Sequence, residues 1–360
     1  MTGWETFVQT QLDDGVAKTR AIGWSGVGTY GDLAREYQAL EEGPALVDRS
    51  YRGLLEITGR DRIGWLHNLT TNDVKSLAPG QGRYAFALNR QGRILFDLNI
   101  LARQEVVQID IDRRWVSMAQ AHFEKYVIME DVHIVDRSAE FVRLGWGGAM
   151  AGAVLAQWSA PDVHKVPSLG TFQVVWNGLS MPAMRHDFCG TLAVEILVPA
   201  ARAVEFWYRW SDPGGSLRAV PVGDDAVQVR RIEAGIPWPF HEMTDEYLPA
   251  ETGQLDRAVS FTKGCYLGQE IVGRMRSRGA IARRLVGLHV EGDSVPPPGA
   301  SLTHDGKPVG QLTSACRSLA TGRVIGLGYV KTQFTDPGNS LTLAYKDTQL
   351  PALVAELPFA

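Results

Sequence analysis

The run Phe261-Thr-Lys-Gly-Cys-Tyr-Leu-Gly-Gln-Glu270 holds the chemistry-bearing residues that stand out most in this chain. Gly264 and Gly268 bracket Cys265 just ahead of an expected short helix whose buried stripe would be Leu267, Ile271 and Met275. A thiol at a helix N-terminus with Lys263 two residues away has the electropositive setting that makes a cysteine nucleophilic. An isolated cysteine more commonly packs as a small hydrophobe, and on residue chemistry alone the two readings are even. Arg274, Arg276, Arg278, Arg283 and Arg284 follow at once. Such a run is ordinarily a solvated face. Its functional reading is a clamp for carboxylate or phosphate, both of which a guanidinium matches in bidentate geometry.

Other motifs carry less. Gly145-Trp-Gly-Gly-Ala-Met-Ala-Gly152 follows a strand and precedes a helix, but Met150 stands where a dinucleotide fingerprint needs its third glycine. A tight strand-to-helix turn is the better reading. The eight histidines include no HExxH, and His67 and His122 sit on apolar helix faces, so no metal site is expected. Cys189, Cys265 and Cys316 form no CxxC, so neither a disulfide framework nor a structural zinc site is indicated, and nothing in their spacing shows a cluster site.

These residues need a scaffold. At 360 residues, two or three domains are expected. Hydrophobic content of 45% with 21% charged residues is globular, and a net charge of −4 argues against a dedicated nucleic-acid binder. The start lacks a basic n-region followed by an apolar h-region, and no apolar run reaches ~20 residues, so a cytoplasmic protein is expected. Strands and helices alternate irregularly, which implies α+β. Leu54–Gly59 reads as a strand running into a helix at Arg60–Leu69. Strands follow at Arg83–Leu88 and Arg93–Leu101 around a break at Asn89–Gly92. On the second of these, Ile94, Phe96, Leu98 and Ile100 share one face, with Asp97 and Asn99 on the other. Further strands are expected at Val106–Ile111, Thr171–Trp176 and Ala193–Pro199. Asp224 and Asp225 open a helix that Arg230 and Arg231 close, with Gly235 at its stop. Beyond Arg284, five short alternating segments indicate a small β-barrel: Leu285–Val290, Pro308–Thr313, Val324–Val330, Leu341–Tyr345 and Leu353–Leu357.

KGCYLGQE at Lys263–Glu270, continuing to Arg278–Gly279, resembles the signature of YgfZ-type folate-binding proteins, relatives of the glycine-cleavage T-protein (aminomethyltransferase). ITGRDRIGWLHNLTTNDVKSL, LNRQGRILFDL, CGTLAVEILVP at Cys189–Pro199 and RIEAGIP at Arg231–Pro237 resemble further segments of that superfamily, in the same order. The resemblance implies a GcvT/YgfZ-like folate-binding region over 1–283 around a central hole. Its two interleaved α+β subdomains would be 1–55 with 138–235 and 56–137 with 236–283, followed by a C-terminal barrel over 284–360. It implies tetrahydrofolate or a one-carbon derivative as ligand. It also implies Asp97, Glu195, Lys263, Tyr266, Gln269, Arg274, Arg276 and Arg278 as folate contacts, and Cys265 as the functional thiol.

The transferases' one-carbon aspartate corresponds to Phe96 here, and an acidic pterin-facing residue to Thr191. Phenylalanine can neither hydrogen-bond a folate nitrogen nor stabilise a developing cation. Those departures, with the cysteine signature, put first a YgfZ-type accessory role in iron–sulfur cluster assembly or repair, and through client enzymes in tRNA modification. The alternatives are a folate-dependent aminomethyltransferase or demethylase, with Asp97 or Glu195 taking over, and a non-catalytic folate-binding module.

Overall fold

The computed structural model describes residues 2–15, 17–21, 24–211, 219–278 and 281–359, with backbone alone at 17–21, 24–25 and 276–278. The chain divides into two compact units, residues 1–85 with 98–227, and residues 86–97 with 228–360.

The first unit is built on a six-stranded sheet. Its order is Thr171–Trp176, Leu179–Arg185, Ala193–Pro199, Phe141–Gly147, Ala45–Asp48 and Val220–Val222. Neighbours are antiparallel except the last pair, so Ala45–Asp48 lies between strands that both come later in the chain. The first two strands join through Asn177–Gly178, both at positive φ (48° and 75°), the backbone a two-residue hairpin turn requires. Against this sheet pack Phe7, Phe206 and Trp207 from two helices, together with Trp146, Trp158 and Trp210, whose indoles meet edge to face. Aromatic pairs in that geometry add about 0.5–1.5 kcal/mol each beyond their burial.

The Gly-rich run closes onto this core as a turn. The Gly148, Ala149 and Met150 N–H groups donate to the carbonyls of Leu192, Glu41 and Gly43. A Cβ on Gly148 (φ +89°) would lie 2.6 Å from the Ala39 carbonyl oxygen. The glycines serve backbone approach, and these N–H groups are already consumed.

A five-stranded sheet runs Gly82–Leu88, Ile94–Ala102, Val107–Asp112, Arg52–Thr58, His133–Asp136. Its register puts Leu98, Ile100, Ile109, Ile111 and Leu55 on one face and Asn99, Asp110 and Arg52 on the other. The polar face is as buried as the apolar one. Met118 is exposed because it lies on the outer side of Val116–Glu124. His67 is buried, with Nδ1 accepting from the Val74 and Lys75 N–H groups.

The second unit contains the end of helix Asp224–Glu233, helix Gln269–Arg278 and a closed barrel. Around the barrel the strands are Arg283–Val290, Val324–Lys331, Lys307–Arg317, Ser301–His304, Ser340–Tyr345 and Thr348–Ala355. Ser301–His304 is a sixth strand beyond the five expected. It is short, between Gly299 and the Asp305–Gly306 turn, yet closure depends on it, pairing with strands on both sides. Leu288, Leu302, Leu312, Leu341 and Leu343 fill the interior. Among the described residues no helix is long and apolar enough to cross a membrane.

Candidate functional site

In the second unit, the hairpin at Asn89–Gly92 and the segment leading into helix Gln269–Arg278 lie against each other at the limit of close packing. Gly268 sits at φ +85°, where an added Cβ would be 2.9 Å from the Asn89 carbonyl oxygen and 3.0 Å from Leu88 Cβ. Gly92 (φ +73°) meets Ile271 in the same way, at 2.8 Å. Glycine is needed at both. The helix begins at Gln269, so Cys265 lies four residues ahead of it, and Val272, rather than Leu267 or Met275, is the deeply buried residue of the stripe. Cys265 is exposed, whereas Cys189 and Cys316 are buried.

Beside it the Lys263 ammonium stands 5.0 Å from the Tyr266 ring centroid, a cation–π contact. Burial pushes the Tyr266 phenol up to about 12. The Gln269 N–H donates to the Tyr266 carbonyl, so Lys263, Tyr266 and Gln269 form one local group. Arg274 pairs with Glu270 one turn back, both more than half exposed, a geometry worth little in stability. The Arg276 and Arg278 side chains lie outside the described residues, as does Gly279. Phe96 is fully buried and Asp97 nearly so, on adjacent positions of Ile94–Ala102.

The first unit holds a buried charge cluster where polar faces of its strands meet. Asp110 accepts from Arg52 Nε and Nη2 (3.0 and 2.7 Å) and from Asn99 Nδ2 (2.7 Å), with Arg143 Nη2 at 3.2 Å. Glu195 Oε1 faces Arg49 Nη2 at 3.0 Å and His186 Nδ1 at 2.9 Å, and Oε2 accepts from Arg143 Nη1 at 3.1 Å. Arg49 also contacts the Tyr51 hydroxyl and lies 4.0 Å over the Phe188 ring. Burial alone would raise the Glu195 carboxyl, but Arg49, His186 and Arg143 outweigh it and hold it well below the usual carboxylate range. Asp110 is held down likewise by Arg143 and Arg52 against burial. Asp110, His186 and Glu195 are close enough to approach one metal ion. All four carboxylate oxygens already face guanidinium, amide or imidazole nitrogens, however, and the arginines supply the balancing charge.

Sequence reasoning found Glu195 but none of its partners. Arg49, Arg143 and His186 come from separate segments, and no spacing announces their convergence. It also read Arg231 only as a helix-end charge. Arg231 is fully buried in the second unit, donating to Glu242 Oε2 (2.8 Å) and Ser314 Oγ (2.6 Å). Two residues on, Glu233 accepts from Ser318 Oγ at 2.6 Å. The segment RIEAG thus ties its helix to the barrel strand Lys307–Arg317 and the residues after it. Arg283, another member of the basic run, lies 4.5 Å over the Tyr247 ring, which stacks on Tyr329 at 3.6 Å.

Comparison with known proteins matches residues 7–263 to the GCVT N-terminal domain and residues 283–360 to the glycine cleavage T-protein C-terminal barrel domain. An aminomethyltransferase of Thermosynechococcus vestitus is 28% identical over 332 residues, covering 92% of this chain and 88% of the relative. One from Bacillus subtilis is 26% identical over 347 residues, covering 94% and 93%. The crystal structure of the glycine cleavage system aminomethyltransferase T from Bartonella henselae superposes with a TM-score of 0.87 at 21% identity, covering 98% of this chain and 96% of that one. It shares the fold, mixed α+β with a closed six-stranded C-terminal barrel. These relatives overturn the first-placed expectation. They are named aminomethyltransferase and match nearly end to end, which agrees with the transferase alternative and not with an iron–sulfur accessory role.

Proposed function

The chain belongs to the glycine-cleavage T-protein family, and on that premise we propose that it is a tetrahydrofolate-dependent one-carbon transferase of the aminomethyltransferase type. The observation that carries the reading is the match to aminomethyltransferases along more than nine-tenths of this chain, N-terminal region and barrel alike. Tetrahydrofolate accepts the one-carbon unit. Asp97, next to Phe96 but on the opposite face of the strand, supplies the carboxylate from that face, since a carboxylate stabilises positive charge developing on a transferred carbon. Lys263, Tyr266 and Gln269 contact the folate. Arg274, Arg276 and Arg278 bind the carboxylates of its glutamyl tail, which suits guanidinium geometry. Cys265 is a nucleophile available beside that group. The departures at Phe96 and Thr191 alter the donor, and an amine or a sulfonium methyl compound is the class this reading favours.

The test is anaerobic calorimetry with tetrahydrofolate and its one-carbon derivatives, followed by turnover of methylamine, sulfonium and aminomethyl donors, with folate products read by chromatography. Binding and formation of methyl- or methylene-tetrahydrofolate, both reduced by Asp97→Asn, are expected. Absence of heat with every reduced folate well above micromolar concentration defeats the reading.

A further inference from the structure

The geometry points to a separate small-molecule site in the second unit, at which Arg93 and Arg283 take the carboxylate of a zwitterionic amino acid and Asp245 and Glu246 take its ammonium group. This goes beyond the folate reading and does not depend on it.

Arg93, Asp245, Glu246 and Arg283 line an open cavity of about 520 Å³, within the size range of small-molecule sites. Two cations meet there. Arg93 Nη1 donates to the Glu246 carbonyl at 2.5 Å, and Arg283 Nη2 donates to the same oxygen. One carbonyl does not neutralise two guanidinium groups, and they repel each other across it. Among the described residues Arg283 has one carboxylate partner, Glu251, with Oε1 3.3 Å from Nε, while Arg93 has none. Glu251 Oε2 is already taken by the Leu248 N–H. Arg93 Nε and Nη2 and Arg283 Nη1 thus have no partner among the described residues. A carboxylate bridging the two groups accepts from such donors in charge-assisted pairs. The donors are also held ready. Arg283 lies 4.5 Å over the Tyr247 ring, which stacks on Tyr329, and the Ile94 N–H donates to the Tyr247 carbonyl at 3.2 Å, fixing the chain beside Arg93. The surroundings decide the charge of the ligand. The two arginines are outnumbered by Asp245, Glu246 and Glu251, so a phosphate dianion would be repelled by acids flanking its binding groups. Asp245 and Glu246 are exposed and form no ion pair among the described residues, which leaves them to a cation. A neutral zwitterion answers both signs, and the open mouth of the cavity leaves room for its side chain.

The test is calorimetry on the full chain with L-alanine and L-methionine, with propionate and ethylamine as the two halves of the zwitterion, and with inorganic phosphate. Both amino acids should bind at millimolar concentration or below. Propionate should bind about tenfold more weakly, the scale of one lost charge-assisted contact, and ethylamine should give no heat. Arg93→Met, at an exposed position, should weaken the amino acids and propionate alike by about tenfold or more. Asp245→Asn combined with Glu246→Gln should weaken the amino acids and leave propionate unchanged. In 15N-arginine-labelled wild-type protein, alanine should shift the Nε resonances of Arg93 and Arg283. Absence of heat with both amino acids at tens of millimolar refutes the site. Amino-acid binding that survives Arg93→Met and the paired acidic changes lies elsewhere and refutes the assignment. Phosphate bound more tightly than either amino acid refutes the zwitterion class. Loss of alanine binding on saturation with tetrahydrofolate gives the arginines to the folate site and refutes a separate one. Alanine binding that persists beside folate, or in protein that binds no folate, supports the site whatever becomes of the folate reading.

Discussion

Replacing Glu242 by leucine should destabilise the second unit by about 3–5 kcal/mol, the usual cost of stripping one partner from a buried ion pair. Glu242 and Arg231 are both fully buried and 2.8 Å apart. The carboxylate also accepts from the Trp238 N–H (2.9 Å), Thr313 Oγ1 (2.8 Å) and Ser314 Oγ (2.6 Å). Leucine removes every one of these acceptors and leaves the guanidinium uncompensated. Of its remaining partners, Ser314 Oγ and Gln228 Oε1 are neutral. At roughly 2–4 °C per kcal/mol for a unit of this size, the melting transition falls by about 6–20 °C. Combining Arg231→Met with Glu242→Leu removes the unpaired charge and should restore more than half of the loss, because a buried pair replaced whole is often near neutral. The assay is thermal unfolding of the two single variants and the double variant. Hydrogen exchange at Leu312 and Ser314 confirms which unit melts. A double variant no more stable than Glu242→Leu would show that hydroxyl and backbone contacts, rather than the charge pair, carry the energy.

Three further outcomes follow from the same geometry. Iodoacetamide near neutral pH should label Cys265 first, since Cys189 is fully buried and burial, with Glu233 nearby, pushes the Cys316 thiol up to about 12; peptide mapping reads the order. Stability should peak near pH 5: burial raises Asp48 to about 6, so its contribution falls as pH rises through that value. The lowered carboxyls of Glu195, Asp110 and Glu242 instead contribute fully above about pH 4 and lose their contribution as pH falls through their folded values. Urea titrations from pH 3 to 8 test both limbs, and Asp48→Asn should flatten the decline from pH 5 to 7. Gly268→Ala should cost about 1–3 kcal/mol, because a Cβ at φ +85° is strained and meets the Asn89 carbonyl; an unchanged melting curve would mean the hairpin gives way freely.

Local punctuation made part of this structure legible. Asp224, Asp225, Arg230, Arg231 and Gly235 mark a helix whose observed span is Asp224–Glu233, with Gly235 at φ +68° beyond it. The strand Leu179–Arg185 carried an equally clear Asn177–Gly178 signal and was not expected, because Pro182 interrupts it and the run Met181–Met184 shows no polar–apolar alternation. Phe96 is visible as a departure in type, but its complete burial is not. The site was legible only where its residues are neighbours in sequence, as in Lys263–Tyr266–Gln269. Glu195 was found alone because alternation cannot show that a strand's polar face is buried against another strand's charges. That juxtaposition is tertiary, and it gave His186 its setting.

The place of Ala45–Asp48 in the six-stranded sheet has a consequence for how the chain is made. Its neighbours, Phe141–Gly147 and Val220–Val222, leave the ribosome after it. At about 5–20 residues per second, the wait for the second neighbour is on the order of ten seconds or more. Until Phe141–Gly147 emerges, Ala45, Leu46 and Val47, all buried in the finished protein, have neither edge paired, and until Val220–Val222 follows one edge stays open. The barrel strands, by contrast, emerge consecutively from Arg283 to Ala355 and can close on one another as they appear. The nascent first unit, with its open edge, is therefore the part of the protein most exposed to wrong pairing and most in need of a chaperone while translation continues.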